Sequence, residues 1–287
     1  MSNLTKKEHT VPRTYLKNFS RKVGKMDKVI VIDKNKLEPY SNSIDNVACH
    51  NNFYEVEGKK TNYWEEYYGK IETKIPFILN SIIINCRFAS NHSLVLSDYL
   101  KNELADMIII QLFRTEQARK HYSKIGLEVS NTFIKNISEE LKGYINAEQI
   151  NILNKYKNNE NFVYSIQLEH TNSNKFIRKI KHILLNKIWI VHKNLNSKKY
   201  PFVTSDNPVI LSNYINGKIG YENGLNEKGT IIYFPINSEL LIAIYPNLST
   251  LNEYQNTVDY LDDVEFVLKF NKNNYLQCHR QVFFSIK

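Results

Sequence analysis

Three stretches of the sequence carry polar residues of types that could do chemistry. The first, "HTVPRTYLKNF" over 9–19, places His9 three residues before Pro12, which would fix the start of a helix. Histidine has an ordinary pKa near neutrality, and a helix start favours an anion, so His9 could exchange a proton with a bound anion. Arg13 would add a positive charge for that anion. An imidazole that only caps or packs against the helix is the alternative.

The second stretch, "MIIIQLFRT" over 107–115, contains Gln111 and Arg114. Their spacing of three residues places both side chains on one face of a helix. A buried amide needs hydrogen-bond partners, and a guanidinium matches the geometry of phosphate or carboxylate, so the pair could clamp an anion. A structural hydrogen-bond network that pins a loop accounts for the same two residues.

The third stretch is "PFVTSDNPVIL" over 201–211, where Asp206 and Asn207 stand between two apolar runs. Both side chains can bond the local backbone, and Pro208 turns Asn207 away from helical geometry. A tight turn therefore explains the stretch. Loops between buried strands are also where folds present functional groups, so a turn and a functional site both stay open.

Composition bounds the class of protein. Lys and Arg number 38 against 29 Asp and Glu among the 287 residues, and the net charge of +9 favours polyanionic partners such as nucleic acid. A solvated basic surface would give the same excess. The three cysteines form no CxxC pair, which argues against a disulfide framework or thiolate zinc site and predicts a reducing cytoplasm.

Membrane segments and standard catalytic motifs are missing from the sequence. The first ten residues lack the apolar core of a signal peptide, and the longest apolar run, Met107–Phe113, is too short to cross a bilayer, so no membrane partner is predicted. The sequence has no GxxxxGK[ST], GxGxxG, HExxH or GxSxG motif. Asp206 followed by Glu227 and Lys228 only weakly resembles a PD-(D/E)xK nuclease core.

The helices and strands that must position these residues are predicted from hydrophobic periodicity and from proline, glycine and capping residues. We predict a strand over 27–33, a helix over 63–83 that Pro76 kinks or divides, and a buried central helix over 98–122 capped by Ser97. Further helices are predicted over 131–187, then short strands, a closing helix over about 260–279 and a terminal strand from 281.

These elements predict an α+β fold. The helical N-terminal and middle part would pack on a mostly antiparallel sheet from the C-terminal third, and the early strand would need partners from that late sheet. The chain has no internal repeat and no Pro/Gly/Ser linker, so we expect a single α+β domain over 1–287.

The chain resembles the bacterial family called domain of unknown function 4238. The resemblance is carried by "HTVPRTYLKNF", by "FYE" at 53–55, by "IIQLFRT" at 109–115 and by "PFVTSDNPVIL". It implies a bacterial cytoplasmic protein of one domain and no particular reaction. The residues that match the family's polar motif positions are His9, Gln111, Arg114, Asp206 and Asn207. The later "YFPINSEL" departs from the family pattern, with Ile236 and Asn237 in place of Leu and Ser.

If the five motif residues converge, they suit attack on a phosphodiester. His9 would act as general base or acid, Arg114 would stabilise charge on the phosphate, and Asp206 would orient His9 or hold a divalent cation, Mg²⁺ or Mn²⁺. The predicted substrate contacts are Arg13, Gln111, Asn207, Arg178, Lys179 and Lys181. The hypothesis is a nucleic-acid-directed hydrolase, a nuclease of a phage-defence or toxin kind.

Two alternatives stay open. In the first, the same residues form a buried structural network in a non-catalytic module that binds nucleic acid or a protein. In the second, Asp206 stabilises an oxocarbenium-like centre in an enzyme that cleaves a glycosidic bond of a nucleotide such as NAD. The solvent exposure of His9 and Asp206 distinguishes the structural network from either enzyme. A network seals both side chains from solvent, whereas an enzyme needs a pocket that opens onto them. The sequence does not define a protein partner or an oligomeric state.

Overall fold

A computed structural model of the chain describes residues 7–140, 144 and 146–285. The helices of this part are α1 Arg13–Leu16, α2 Tyr63–Glu72, α3 Ile75–Phe88, α4 Asp98–Phe113, α5 Glu116–Glu140, α6 Ala147–Tyr156, α7 Glu160–Thr171, α8 Asn174–Leu185 and α9 Val264–Gln277. The strands are β1 Lys7–His9, β2 Arg21–Val23, β3 Met26–Asp33, β4 Tyr40–Ser43, β5 Cys49–Asn51, β6 Ile188–Asn194, β7 Thr204–Ser205, β8 Ile210–Asn213, β9 Thr230–Pro235, β10 Leu240–Tyr245, β11 Thr257–Leu261 and β12 Gln281–Phe284. The predicted α+β class is confirmed.

The strands of the described part form three sheets. One runs β11-β6-β10-β9-β8, a second runs β2-β3-β12-β7 with β4 paired to β3, and β1 and β5 form a third. The pairings are antiparallel except that of β11 with β6. The sheets are therefore mostly antiparallel, as predicted.

The second sheet joins the two ends of the chain. β3 pairs with β12, where Val31 lies opposite Phe283, and both side chains are fully buried. This confirms that the early strand takes a late partner. β12 also pairs with β7, which brings Ser205 opposite Val282 and places the "TSDNP" turn beside the C-terminal strand. The prediction of a single domain stays a prediction.

Local sequence signals explain the helix boundaries. Pro76 lies in the first turn of α3 and divides the predicted helix into α2 and α3, because proline needs no N–H partner there. Ser97 caps α4 as predicted, and its side chain accepts a hydrogen bond from the Leu100 N–H at 3.3 Å. The α4 side chains Leu104, Ile108 and Ile109 are fully buried, so α4 is the central helix of the core.

The predicted helix over 98–122 is interrupted after Phe113. Arg114 ends α4 by donating its N–H to the Ile110 carbonyl. The Thr115 hydroxyl accepts a hydrogen bond from the Ala118 N–H at 3.2 Å, which is how a threonine starts a new helix. α5 therefore begins at Glu116, and the single predicted helix was wrong at this point.

The closing helix also starts later than predicted. Asp263 caps α9 by accepting a hydrogen bond from the Phe266 N–H, and the first residues of the predicted helix, Tyr260 and Leu261, belong to β11 instead. Residues 141–143 and 145 of the predicted middle helices, and 286 and 287 of the predicted terminal strand, lie outside the described residues. Across the described residues, helices that could cross a membrane are absent.

Candidate functional site

Arg114 lies at the junction of α4 and α5 and directs its guanidinium inward. Nε donates to the Tyr54 hydroxyl at 3.1 Å, Nη1 to Glu72 Oε1 at 2.8 Å, and Nη2 to the His9 carbonyl. The side chain is 3% exposed, and its guanidinium carbon lies 4.4 Å from the Tyr68 ring centroid. The guanidinium therefore holds protein groups together inside the fold.

Gln111 binds the neighbouring peptide carbonyl. Its Nε2 donates to the Thr10 carbonyl at 2.9 Å, and the residue is buried. Together Gln111 and Arg114 hold two successive carbonyls, those of His9 and Thr10, against the central helix. Arg13 instead lies on the surface, where it pairs with Asp45 at 3.0 Å.

His9 is held through its backbone carbonyl, which accepts the Arg114 hydrogen bond, and its ring is mostly buried. Burial, together with the positive charges of Arg13 and Arg114, lowers the pKa of His9 to about 4. Its Nε2 is buried and has no hydrogen-bond partner within 7–140, 144 and 146–285. The imidazole is therefore neutral at physiological pH.

Asp206 fastens the turn between α9 and β12. Its carboxylate accepts hydrogen bonds from the backbone N–H groups of His279 at 2.8 Å, Arg280 at 2.7 Å and Gln281 at 2.7 Å. The residue is only 6% exposed, and this burial raises its pKa against the opposing effect of the three hydrogen bonds. Among the described residues no hydrogen bond or ion pair joins Asp206 to His9.

Asn207 connects this turn to the start of α5. Its Oδ1 accepts hydrogen bonds from the Thr115 hydroxyl at 3.0 Å and the Tyr221 hydroxyl at 2.9 Å, and its Nδ2 donates to the Gln277 carbonyl at 3.1 Å. The five motif residues thus belong to two buried groups that meet at Arg114 and Thr115. We call His9, Gln111, Arg114, Asp206 and Asn207, with these partners, the motif network.

The remaining predicted contacts lie on α8, which carries no member of the motif network. Arg178 and Lys179 are exposed there. Lys181 is partly buried, and its Nζ lies 2.9 Å from Asp106 Oδ2. Of these three predicted contacts, Arg178 and Lys179 are thus open to an anionic partner.

Beside the motif network lies a surface pocket of about 670 Å³ that sequence reasoning missed. We call it the basic pocket, and its functional side chains are His50, Glu116, Arg119, Lys120 and Lys124. Glu116 joins two imidazoles: its Oε2 lies 3.0 Å from His50 Nε2, and its Oε1 lies 3.0 Å from His279 Nε2. The Lys120 Nζ is 3.5 Å from the same His279 nitrogen.

The pocket's electrostatics separate its titratable groups. Burial lowers the pKa of His50, although the Glu116 charge opposes the shift. Burial alone would raise the pKa of Glu116, but the His279 hydrogen bond and the charges of both imidazoles bring it below its ordinary value. The pocket therefore combines an ionised carboxylate, an imidazole favoured in its neutral form, and cations that can hold a phosphate.

The motif network contacts the chain near each of three residues: His50, Glu116 and His279. Asp206 binds the His279 N–H, and Arg114 and Thr115 set the start of α5 at Glu116. For His50 the link is the pairing of β1 with β5, in which network residue His9 lies opposite Cys49, the neighbour of His50. The sequence carries only a weak indication of this group. His50 lies in a polar run and His279 is next to Cys278, and no regular spacing links either residue to Glu116. Folding alone brings 50, 116 and 279 together.

A metal-binding cluster is absent from the described part of the chain. This part contains no group of three or more His, Cys, Asp or Glu side chains that could hold a metal ion. The two carboxylate oxygens of Asp206 accept three backbone hydrogen bonds instead. The Mg²⁺ or Mn²⁺ expectation stays a prediction.

The fold and site define a class of α+β protein in which a buried polar network supports an open basic pocket. The chain belongs to the family described as "Protein of unknown function (DUF4238)", which matches residues 7–287. This match confirms the family resemblance of the sequence motifs. Comparison with curated proteins and with solved structures gives no match.

Proposed function

We propose that the protein is a nucleic-acid-directed hydrolase that cleaves phosphodiester bonds in the basic pocket. The observation that carries the proposal is the sharing of Glu116 by the His50 and His279 imidazoles at 3.0 Å each. His50 and Glu116 line a pocket of about 670 Å³ with Arg119, Lys120 and Lys124, and His279 contacts Glu116 from beside that lining. Phosphodiester cleavage needs a base, an acid and positive charge near the phosphate. The basic pocket supplies the base and the positive charge, and His279 beside it supplies the acid.

RNA is the substrate that this set suits best, because its 2′-hydroxyl supplies the nucleophile. His50, whose pKa is lowered, takes the proton of the 2′-hydroxyl as that oxygen attacks phosphorus. The bond from phosphorus to the 5′-oxygen breaks, and His279 gives that leaving oxygen a proton. The products are a 2′,3′-cyclic phosphate and a free 5′-hydroxyl, and water then opens the cyclic phosphate.

Glu116 orients the two imidazoles, and two lysines bind the phosphate. Glu116 binds Nε2 of each ring, which leaves each Nδ1 for the substrate. Lys120 and Lys124 stabilise the charge on phosphate. In this proposal the predicted catalytic residues His9, Arg114 and Asp206 are positioning residues, since their polar contacts lie inside the motif network.

The test is cleavage of labelled RNA, single-stranded DNA and double-stranded DNA at matched salt, with EDTA or with Mg²⁺ or Mn²⁺. We expect His50→Asn and His279→Asn each to lower RNA cleavage about 100-fold or more while the Tm stays within a few degrees. His182→Asn is the matched control, because this exposed α8 histidine contacts only Asn186 among the hydrogen bonds of its ring. Folded pocket variants that cleave like wild type would exclude the proposal.

A non-catalytic nucleic-acid-binding module is the second candidate. It is favoured by the burial of Arg114, Gln111 and Asp206 and by the exposure of Arg178 and Lys179 on α8. Such a module binds RNA or DNA without cleaving it. The double variant Arg178→Ala, Lys179→Ala would then reduce the slope of log affinity against log salt by about 2.

We place the proposed activity in the cytoplasm. The cysteines of the described part, Cys49, Cys86 and Cys278, are free thiols, which fits a reducing compartment. A role in phage defence or as a toxin would follow from RNA cleavage and stays a prediction.

A further inference from the structure

A second and larger pocket opens between α5, α7, α8 and the loop over 224–227. It has a volume of about 960 Å³, and we call it the apolar pocket. Its aromatic lining consists of Phe113, Tyr122, Phe133, Phe162 and Phe176. Rings on several sides of one pocket suit a flat aromatic ligand, because each ring can stack on or meet the edge of that ligand.

Gln167 is one of several polar residues on a mostly apolar wall, the others being Ser130, His170, Thr171, Lys179, Asn226 and Glu227. Gln167 of α7 lines the apolar pocket, is 8% exposed, and has neither its Nε2 nor its Oε1 hydrogen-bonded within the described residues. A buried amide with both groups unpaired is rare in proteins, because each group gives up its bonds to water without replacement. Both amide atoms are themselves buried, so a ligand with a donor and an acceptor side by side would satisfy them once the Gln167 side chain turns toward the pocket.

We propose that the apolar pocket binds a nucleobase. A base offers two π faces to the aromatic walls, and its edge carries an adjacent donor and acceptor that a glutamine amide can pair with in a bidentate way. Lys179 lines the same pocket and is exposed, so it would meet the phosphate attached to the bound nucleoside. An acyl chain or an apolar partner helix would fill the same walls but leave the Gln167 amide unpaired.

This site is separate from the basic pocket. Glu116, Lys120 and Lys124 of α5 face the basic pocket, whereas Tyr122, Ile125 and Val129 of the same helix face the apolar pocket. Both sets follow the helical repeat of three and four residues but start on different faces. Base binding can therefore be measured whether or not the protein cleaves RNA.

The test is calorimetric titration of the full chain with each of the four nucleoside monophosphates and with a 2′-O-methyl oligonucleotide, which cannot form a cyclic phosphate. We expect Gln167→Leu to weaken binding about tenfold or more, since it keeps the apolar shape but removes the amide. It should not lower the Tm, because the amide it removes has no partner in the free protein.

Lys179→Ala should weaken binding of a monophosphate but not of its nucleoside, and Lys175→Ala, an exposed α8 lysine outside the pocket lining, should change neither. Saturation by a monophosphate identifies a free nucleotide as the ligand, and binding of the oligonucleotide alone identifies a base within a strand. The inference is overturned if neither ligand binds at millimolar concentration, if Gln167→Leu binds like wild type, or if only fatty acids or apolar peptides bind.

Discussion

The sharpest prediction concerns Arg114→Met, which removes the guanidinium but keeps an unbranched apolar side chain in its place. Arg114 makes hydrogen bonds to Glu72, Tyr54 and the His9 carbonyl. Removing one partner of a buried ion pair costs about 3 to 5 kcal/mol. Glu72 is 26% exposed and can regain water, so we expect the lower part of that range, about 3 to 4 kcal/mol.

The assay is urea denaturation at pH 7.5 followed by circular dichroism. A loss of that size lowers the midpoint by about 1 M or more if m is about 3 kcal/mol/M. Arg13→Met is the matched control: Arg13 also pairs with an acid, Asp45, at 3.0 Å, but both side chains are more than half exposed. That variant should lose less than about 1 kcal/mol. Equal losses in the two variants, or a loss below about 1 kcal/mol for Arg114→Met, would refute the role of Arg114 as an internal clamp.

Three further predictions test the packing, the charge and the turn. Gly126→Ala should destabilise by about 1 to 3 kcal/mol, because its Cβ would lie 2.4 Å from Val163 Cγ1, whereas Gly69→Ala, with nothing within 4 Å, should stabilise by about 0.5 to 1 kcal/mol. Equal Tm shifts of the same sign would contradict this contact. His9 has a folded pKa of about 4 and an unfolded pKa of 6.5, so its stability contribution is complete above pH 6.5 and is lost as pH falls toward 4. The full loss of folding free energy is on the order of 3 kcal/mol. His9→Asn should therefore make the urea midpoint depend less on pH between 7.5 and 4.5, and an unchanged pH dependence would count against the buried neutral ring. Asp206→Ala should cost at least about 2 kcal/mol in the same denaturation assay, since it leaves three backbone N–H groups without an acceptor, and a loss of only a few tenths would show that the turn holds without it.

Local signals predicted the elements well where the chain itself carries the reason. Ser97 starts α4, Pro76 separates α2 from α3, and the β-branched run over 27–33 forms β3. Each depends on the preferences of neighbouring residues, which a sequence displays directly. The same holds for the central helix, whose burial was predicted because apolar side chains lie on nearly all of its faces.

Interruptions that depend on distant partners were not predictable in this way. Thr115 starts α5 because its hydroxyl binds the Ala118 N–H while also donating to Asn207, which lies far along the chain. Tyr260 and Leu261, where the closing helix was expected to begin, belong to β11 because they pair in parallel with Lys193 and Asn194 of β6. In both cases the tertiary partner overrides the local preference.

The candidate site shows the same limit. The motif residues were recognisable, but Gln111 and Arg114 bind the carbonyls of Thr10 and His9, and a backbone carbonyl has no sequence signature. These side chains make hydrogen bonds inside the fold, and a catalytic role for them stays a prediction. The two imidazoles on Glu116 come from separate regions of the chain, so only the folded arrangement reveals them.

The most direct test of the central claim uses one RNA oligonucleotide and a copy with a single 2′-deoxy residue at the mapped cleavage position. We predict that the wild-type protein cuts the all-ribose strand to a 2′,3′-cyclic phosphate, that the deoxy copy resists at that position, and that His279→Asn leaves both intact. Cleavage of the deoxy copy at the same position, or no cleavage of RNA under any metal condition, would contradict phosphodiester chemistry by His50 and His279.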